Sequence, residues 1–292
     1  MLTLLFDGVA YGMLLFILAL GLAVTMGLMN FVNLAHGAFA MAGGYILIVL
    51  MQRAGWPFLA CLPVAFVITA AAGALLERTL YRPMYGKPHL DQVLFSIGLT
   101  FMAVAAVDYL VGSSPQTVQL PGWLRTRFEI GTGHWQLGMG AYRLFIIVAC
   151  VALALGLQAI LARTRFGSRL RAAVDDSRVA AGLGIPVNRV FLVTFAVGSG
   201  LAGLGGALGA DILGLTPTFP LTFMVYFLIV CAVGGTSSIT GPLVAALVLG
   251  IADVMGKYYV PKLGAFIVYV LMIAILLWRP QGLFTRQGGK SA

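Results

Sequence analysis

Residues 163–189, RTRFGSRLRAAVDDSRVAAGLGIPVNR, form the one long, strongly charged island in a chain that otherwise runs as back-to-back apolar segments. The island holds six of the 18 Lys and Arg residues and two of the nine Asp and Glu residues. Apolar runs of membrane-spanning length lie on both sides of it. The island therefore reads as a loop between two spans, open to a soluble partner on one side of a membrane.

Composition agrees. The chain has 61% apolar and 9% charged residues and a mean hydropathy of +1.01, whereas about a quarter of the residues of a soluble globule are charged. The expected fold is all-α: a polytopic transmembrane helical bundle, one domain over residues 1–292, with eight to nine spans and at least one broken or re-entrant helix. Candidate spans are 8–29, 35–52, 57–76, 92–112, 142–162, 190–213, 219–236, 241–260 and 263–279, each near the roughly 20 residues that cross hydrocarbon. Segments 35–52 and 219–236 are short or bounded by Gly and polar residues, and either is a candidate for the break. Such breaks survive only where protein or a water-filled cavity satisfies the backbone. The spans leave no room for an ATPase domain, so energy must come from a partner or a gradient. No Lys or Arg precedes Arg53 and the first apolar run passes Met29, which points to a retained span and not a cleaved signal peptide. Cys61, Cys150 and Cys231 are scattered through apolar runs without metal-ligand spacing, and read as small hydrophobes.

Orientation follows from the basic residues. Arg78, Arg82 and Lys87, the island, and Arg279, Arg286 and Lys290 put twelve of them on one side; Arg53, Arg125, Arg127, Arg143, Lys257 and Lys262 are the six on the other. The positive-inside bias places the N-terminus outside and the C-terminus in the cytoplasm. The net charge of +9 is then a topology signal that also favours anionic lipid. Nucleic-acid binding is not expected, because the basic residues lie in separate loops without aromatic interleaving. The external loop 113–140 is rich in Gly, Pro and aromatics; it is either a lid on the membrane or a docking surface for an external partner, and Trp123 and Trp135 suit interfacial anchors.

Four segments carry polar chemistry. In LMNFVNLAHGAFAMAGGY, residues 28–45, Asn30, Asn33 and His36 recur every three residues at membrane depth, with Gly37 beside them. Polar groups there face the bundle interior. They either cap a broken helix through backbone carbonyls or line a solute path. In VGSGLAGLGGALGA, Gly198, Ala202, Gly206 and Ala210 recur every four residues, a face for close helix packing or a surface along which helices rock. Gly234 to Ser238 followed by Gly241-Pro242 reads as a tight turn with Pro opening the next helix. In the island, Ser168 is a candidate N-cap, and Leu170, Val174, Ser177 and Ala181 share one helix face, leaving Arg169, Arg171, Asp175, Asp176 and Arg178 off that stripe. This helix either lies on lipid headgroups or docks into a groove of a cytoplasmic protein.

Acidic groups near the spans are few. Asp108 and Asp211 fall toward outer span ends, and Asp253 precedes Lys257 by one turn, the spacing of an i,i+4 pair. The terminal GGKS has Phe284 where a phosphate-binding loop needs its first Gly. No catalytic motif, metal cluster or cofactor signature is present, so the chain is not expected to be an enzyme.

Together, Asn33-Leu34-Ala35-His36-Gly37, Glu77-Arg78 with Tyr81-Arg82-Pro83, Thr164 to Gly167 through Ala180-Ala181-Gly182-Leu183-Gly184-Ile185, and Arg279-Pro280-Gln281-Gly282-Leu283-Phe284 resemble the permease subunits of ABC importers for branched-chain amino acids and related small solutes. The resemblance covers nearly the whole chain in order. It implies a multi-pass protein of the bacterial inner membrane that pairs with a homologous second permease, rests on two cytoplasmic ATPase subunits and receives solute from an external, periplasmic binding protein. Residues 163–189 would be the coupling segment, with Arg169, Leu170, Arg171, Val174, Asp175, Asp176 and Arg178 as its contacts. Asn30, Asn33, His36 and Gly37 would form the path or gate. Leucine, isoleucine and valine are the default solutes; urea, short amides and small aromatic acids stay open. The competing class is an autonomous channel or gradient-driven carrier for a small polar solute, which would need its own coupling-ion site.

Overall fold

The computed structural model describes residues 1–29, 31, 33–130, 137–235, 240–279 and 282–283. Helix α1 (Leu2–Met29) is the axis of the bundle. It is apolar on every side, and Leu14 through Leu20 have no exposed surface, as befits a helix surrounded by others. Helices α2 (His36–Ala54), α3 (Phe58–Leu76), α4 (His89–Val111) and α5 (Ala141–Arg163) follow. A π-turn, Glu77–Tyr81, and a 3-10 turn, Arg82–Met84, extend α3.

The island folds as two short helices, α6 (Arg165–Asp175) and α7 (Ser177–Gly182). Helices α8 (Val187–Leu213), α9 (Phe219–Gly234), α10 (Thr240–Tyr259) and α11 (Gly264–Trp278) complete the chain. Among the described residues seven helices are long and apolar enough to cross a membrane; α9 and the apolar part of α11 are shorter. The segment 35–52, read as a possible break, is a continuous helix of 19 residues, and the interruption falls before it. Segment 219–236 contains the 16-residue α9. Among the described residues the fold departs from all-α in two strands of the 113–140 segment, where β1 (Arg127–Ile130) pairs antiparallel with β2 (Leu137–Gly140), and in an isolated bridge between Gln116 and Leu215.

Glycine sets the spacing of the inner helices. A Cβ on Gly206 would overlap the Ala40 carbonyl, and one on Gly43 would overlap the backbone of Gly203. Helices α2 and α8 therefore cross backbone to backbone, with dispersion at close range replacing the hydrophobic drive that lipid cannot provide. Gly250 of α10 meets Gly12 of α1 in the same way. The four-residue ladder of α8 thus serves packing. Helices α3, α4, α5 and α11 instead turn large apolar side chains outward, among them Val67, Met102, Leu155 and Val270. Cys61, Cys150 and Cys231 are free and buried in the packing.

The two ends of the bundle differ. Thr3 Oγ1 accepts from Gly138 N at 3.2 Å and Gln116 N donates to Leu215 O at 2.8 Å, so the N-terminal residues, the 113–140 loop and the end of α8 share one end. The other end gathers Met29, residues 85–89 and the α6–α7 pair.

Candidate functional site

The interruption between α1 and α2 is the most polar element of the interior. Asn33 and His36 are buried. Asn33 Oδ1 accepts from Ala35 N and from the Tyr81 hydroxyl, both at 3.1 Å, while Leu34 N donates to Ser96 Oγ at 3.1 Å. His36 Nε2 lies 3.0 Å from Leu18 O; because the carbonyl only accepts, Nε2 carries the proton. The His36 ring sits against Gly21, and Gly37 packs on Pro220 at the start of α9. Leu18 and Gly21 lie well inside α1, so the start of α2 stands within the bundle. Among the described residues Asn33 Nδ2 and His36 Nδ1 have no partner, a cost of about 1–3 kcal/mol for each buried polar atom left unpaired. Asn30 lies outside the described residues.

The backbone hydrogen-bonding expected of a broken helix is therefore present. Sequence reasoning missed what holds it from outside: Tyr81 and Ser96 lie 48 and 62 residues from their partners. In the sequence Tyr81 belongs to the Tyr81-Arg82-Pro83 pattern, which gives it no role. Glu77, which belongs to the same pattern, is a buried carboxylate that accepts from the Tyr85 hydroxyl at 3.1 Å.

The island departs from the single amphipathic helix that spacing suggests. Thr164, and not Ser168, caps α6, its Oγ1 accepting from Gly167 N at 3.3 Å. Asp176 has extended backbone, φ −152° and ψ 105°, and caps α7 by accepting from Arg178 N at 2.8 Å and Val179 N at 3.0 Å. The Val179 and Arg178 N–H groups hold its carboxyl below the usual carboxylate range. This break resets the helical register. Leu170, Ala173 and Ala180 become the buried positions, with Val174 partly covered, while Ser177 and Ala181 are exposed. The buried set packs on Val190 and Phe191 of α8. Arg171 Nη1 donates to Leu161 O at 2.6 Å, tying α6 to the end of α5. Arg169, Asp175 and Arg178 are exposed. Beside them opens a groove of about 870 Å³ that includes Phe31, Tyr85, Lys87, Asp175, Arg178 and Phe191.

At the opposite end a second groove of about 710 Å³ carries Asp7, Arg125, Arg127, Glu129, Arg143 and Asp211. Asp7 and Arg143 form an ion pair. Asp108 is exposed and accepts from Ser113 Oγ at 2.6 Å. Asp253, deep in α10, meets Lys257 Nζ at 2.6 Å, the pair its spacing predicts. Among the described residues no three His, Cys, Asp or Glu side chains group as a metal site.

A multi-helix bundle with a glycine-packed interior, a buried polar interruption and a structured charged loop at one end is the architecture of a membrane permease. The family model for the branched-chain amino acid transport system permease component matches residues 4–276, and the chain belongs to that family. It is 27% identical to the high-affinity branched-chain amino acid transport system permease protein LivH of Escherichia coli K12 over 96% of this chain and 94% of the relative. The same identity and coverage hold for BraD of Pseudomonas aeruginosa. LivM of E. coli K12 is 28% identical over 93% of this chain and 68% of its own length. No solved structure matches. Family membership makes the chain a non-catalytic, multi-pass permease subunit of an ABC importer in the inner membrane, and does not favour the reading of a channel or gradient-driven carrier.

Proposed function

We propose that this subunit forms, with a homologous second permease, the path by which branched-chain amino acids cross the inner membrane, driven by two ATPases bound to its cytoplasmic end. The similarity to both LivH and LivM supports a homologous partner. The end bearing the N-terminus and the 113–140 loop faces the external binding protein; the end bearing α6 and α7 faces the cytoplasm, in line with the positive-inside bias. Asn30, Asn33, His36 and Gly37 act as path or gate. Arg169, Asp175 and Arg178 meet the ATPase, while Leu170 and Val174 anchor the coupling segment and Arg171 and Asp176 shape it.

The observation that carries this reading is the packing of the α6–α7 pair on Val190 and Phe191, at the start of the helix whose Gly198 faces the His36 neighbourhood. A push on the island reaches the interruption through one rigid helix. The test is to tag the chain, extract it from its native membrane in mild detergent and identify its companions by mass spectrometry. Two ATPases and a second permease support the proposal; a chain that purifies alone or only with itself contradicts it.

A further inference from the structure

We infer that Tyr81 is a positioning residue for transport: its hydroxyl holds the Asn33 turn in register with the α6–α7 end and releases it when that end moves. The inference rests on the gate and coupling roles proposed above, and adds the part that joins them.

Tyr81 is fully buried at the end of the π-turn. Its ring lies 4.7 Å from Phe195, 5.3 Å from Phe95 and 5.5 Å from Phe31, centroid to centroid. One turn further, Tyr85 contacts Phe31 at 5.7 Å and Phe191 at 6.2 Å. Phe191 and Phe195 are themselves one turn apart on α8, so Tyr81, at the end of the π-turn, and Tyr85, just past the 3-10 turn, grip two phenylalanines of one helix. Phe191 also belongs to the cluster that seats Leu170 and Ala173. Displacement of α6 and α7 is thereby passed to both tyrosine rings.

The element between them is suited to switching. A π-turn followed at once by a 3-10 turn, Glu77–Tyr81 then Arg82–Met84, is a helix wound loosely and then tightly. Such bulges shift register at low cost and mark functional sites more often than ordinary helix. The ring packing holds Tyr81 in place, and only the hydroxyl reaches Asn33. Among the described residues Asn33 has no other side-chain partner and leaves Nδ2 unpaired, so the Tyr81 bond is there the only side-chain link from the π-turn to the gate residues.

Tyr81→Phe removes that oxygen and keeps the ring. The experiment uses the complete importer in proteoliposomes, measuring labelled leucine taken up per ATP hydrolysed. The expected result is a roughly tenfold fall in that ratio, the ratio one buried hydrogen bond sustains, with ATP hydrolysis retained. Asn33→Ala should lower it comparably, and Tyr81→Phe/Asn33→Ala no further than Asn33→Ala alone. Thr79→Val is the control: Thr79 lies exposed on the same turn, its hydroxyl bonded only to Leu75 O at 2.8 Å, and the ratio should not change. A wild-type ratio in Tyr81→Phe, an equal fall in Thr79→Val, or a double variant that falls by the product of the single effects overturns the link alone. A wild-type complex without ATP-driven uptake overturns the importer reading and the link with it.

Discussion

His36 Nε2 lies 3.0 Å from the Leu18 carbonyl oxygen, so the first residue of α2 is fastened to the interior of α1 and the two helices are locked at their shared interruption. The bond makes His36 a structural tie as well as a gate candidate. His36→Ala is expected to destabilise the chain by about 3 kcal/mol, combining a lost hydrogen bond with an unfilled cavity. Thermal unfolding in detergent reads the loss. An unchanged unfolding temperature would contradict the tie.

The α2–α8 crossing admits no side chain, since even a methyl group on Gly206 would overlap the Ala40 carbonyl. Gly206→Leu is expected to cost more than about 3 kcal/mol, the upper range of overpacking, because the obstacle is backbone and cannot turn aside. Protease sensitivity of the inserted protein should rise. Resistance equal to wild type would show that the helices separate freely.

Asp253 is buried and its one cationic partner is Lys257. Lys257→Met leaves the carboxylate with the Tyr226 hydroxyl, 3.4 Å from Oδ1, but no cation, and is expected to cost a few kcal/mol, less than a wholly buried pair because the lysine is half in water. Asp253→Asn/Lys257→Met should recover most of that loss. Equal stability of the single and double variants would remove the charge argument.

Asp176 caps α7 through two backbone N–H groups, and Asp176→Ala should loosen the start of that helix. Hydrogen exchange at Arg178 and Val179 should accelerate. The carboxyl is shifted below its ordinary value, so its contribution is present above the unfolded pKa of about 4 and disappears as pH falls through the lower folded value. The same amides should stay protected from pH 7 to about 5 and lose protection only in stronger acid. Loss of protection already between pH 7 and 6 would contradict this.

The parts of the fold that depend on local hydropathy were legible. Long apolar runs became α1, α3, α4, α5 and α8, and the spacing of Asp253 and Lys257 foretold their pairing. The glycine ladder announced a close crossing but not its partner, because the partner is chosen by tertiary packing. In the island, apolar residues spaced for one helix conceal a break at Asp176, although the adjacent Asp-Ser pair is itself a capping signal. The site was half legible. Asn33 and His36 stand out as polar residues in an apolar run, whereas Tyr81 and Ser96 become visible only when chain segments 48 and 62 residues apart meet.

The central claim is that this chain moves solute only as part of an ATP-driven assembly. Proteoliposomes containing the chain, its second permease and the ATPases, with binding protein on the outside, should accumulate labelled leucine only when ATP is enclosed, and liposomes holding this chain alone should take up none. Uptake by the chain alone, running down the leucine gradient without ATP, would contradict the claim.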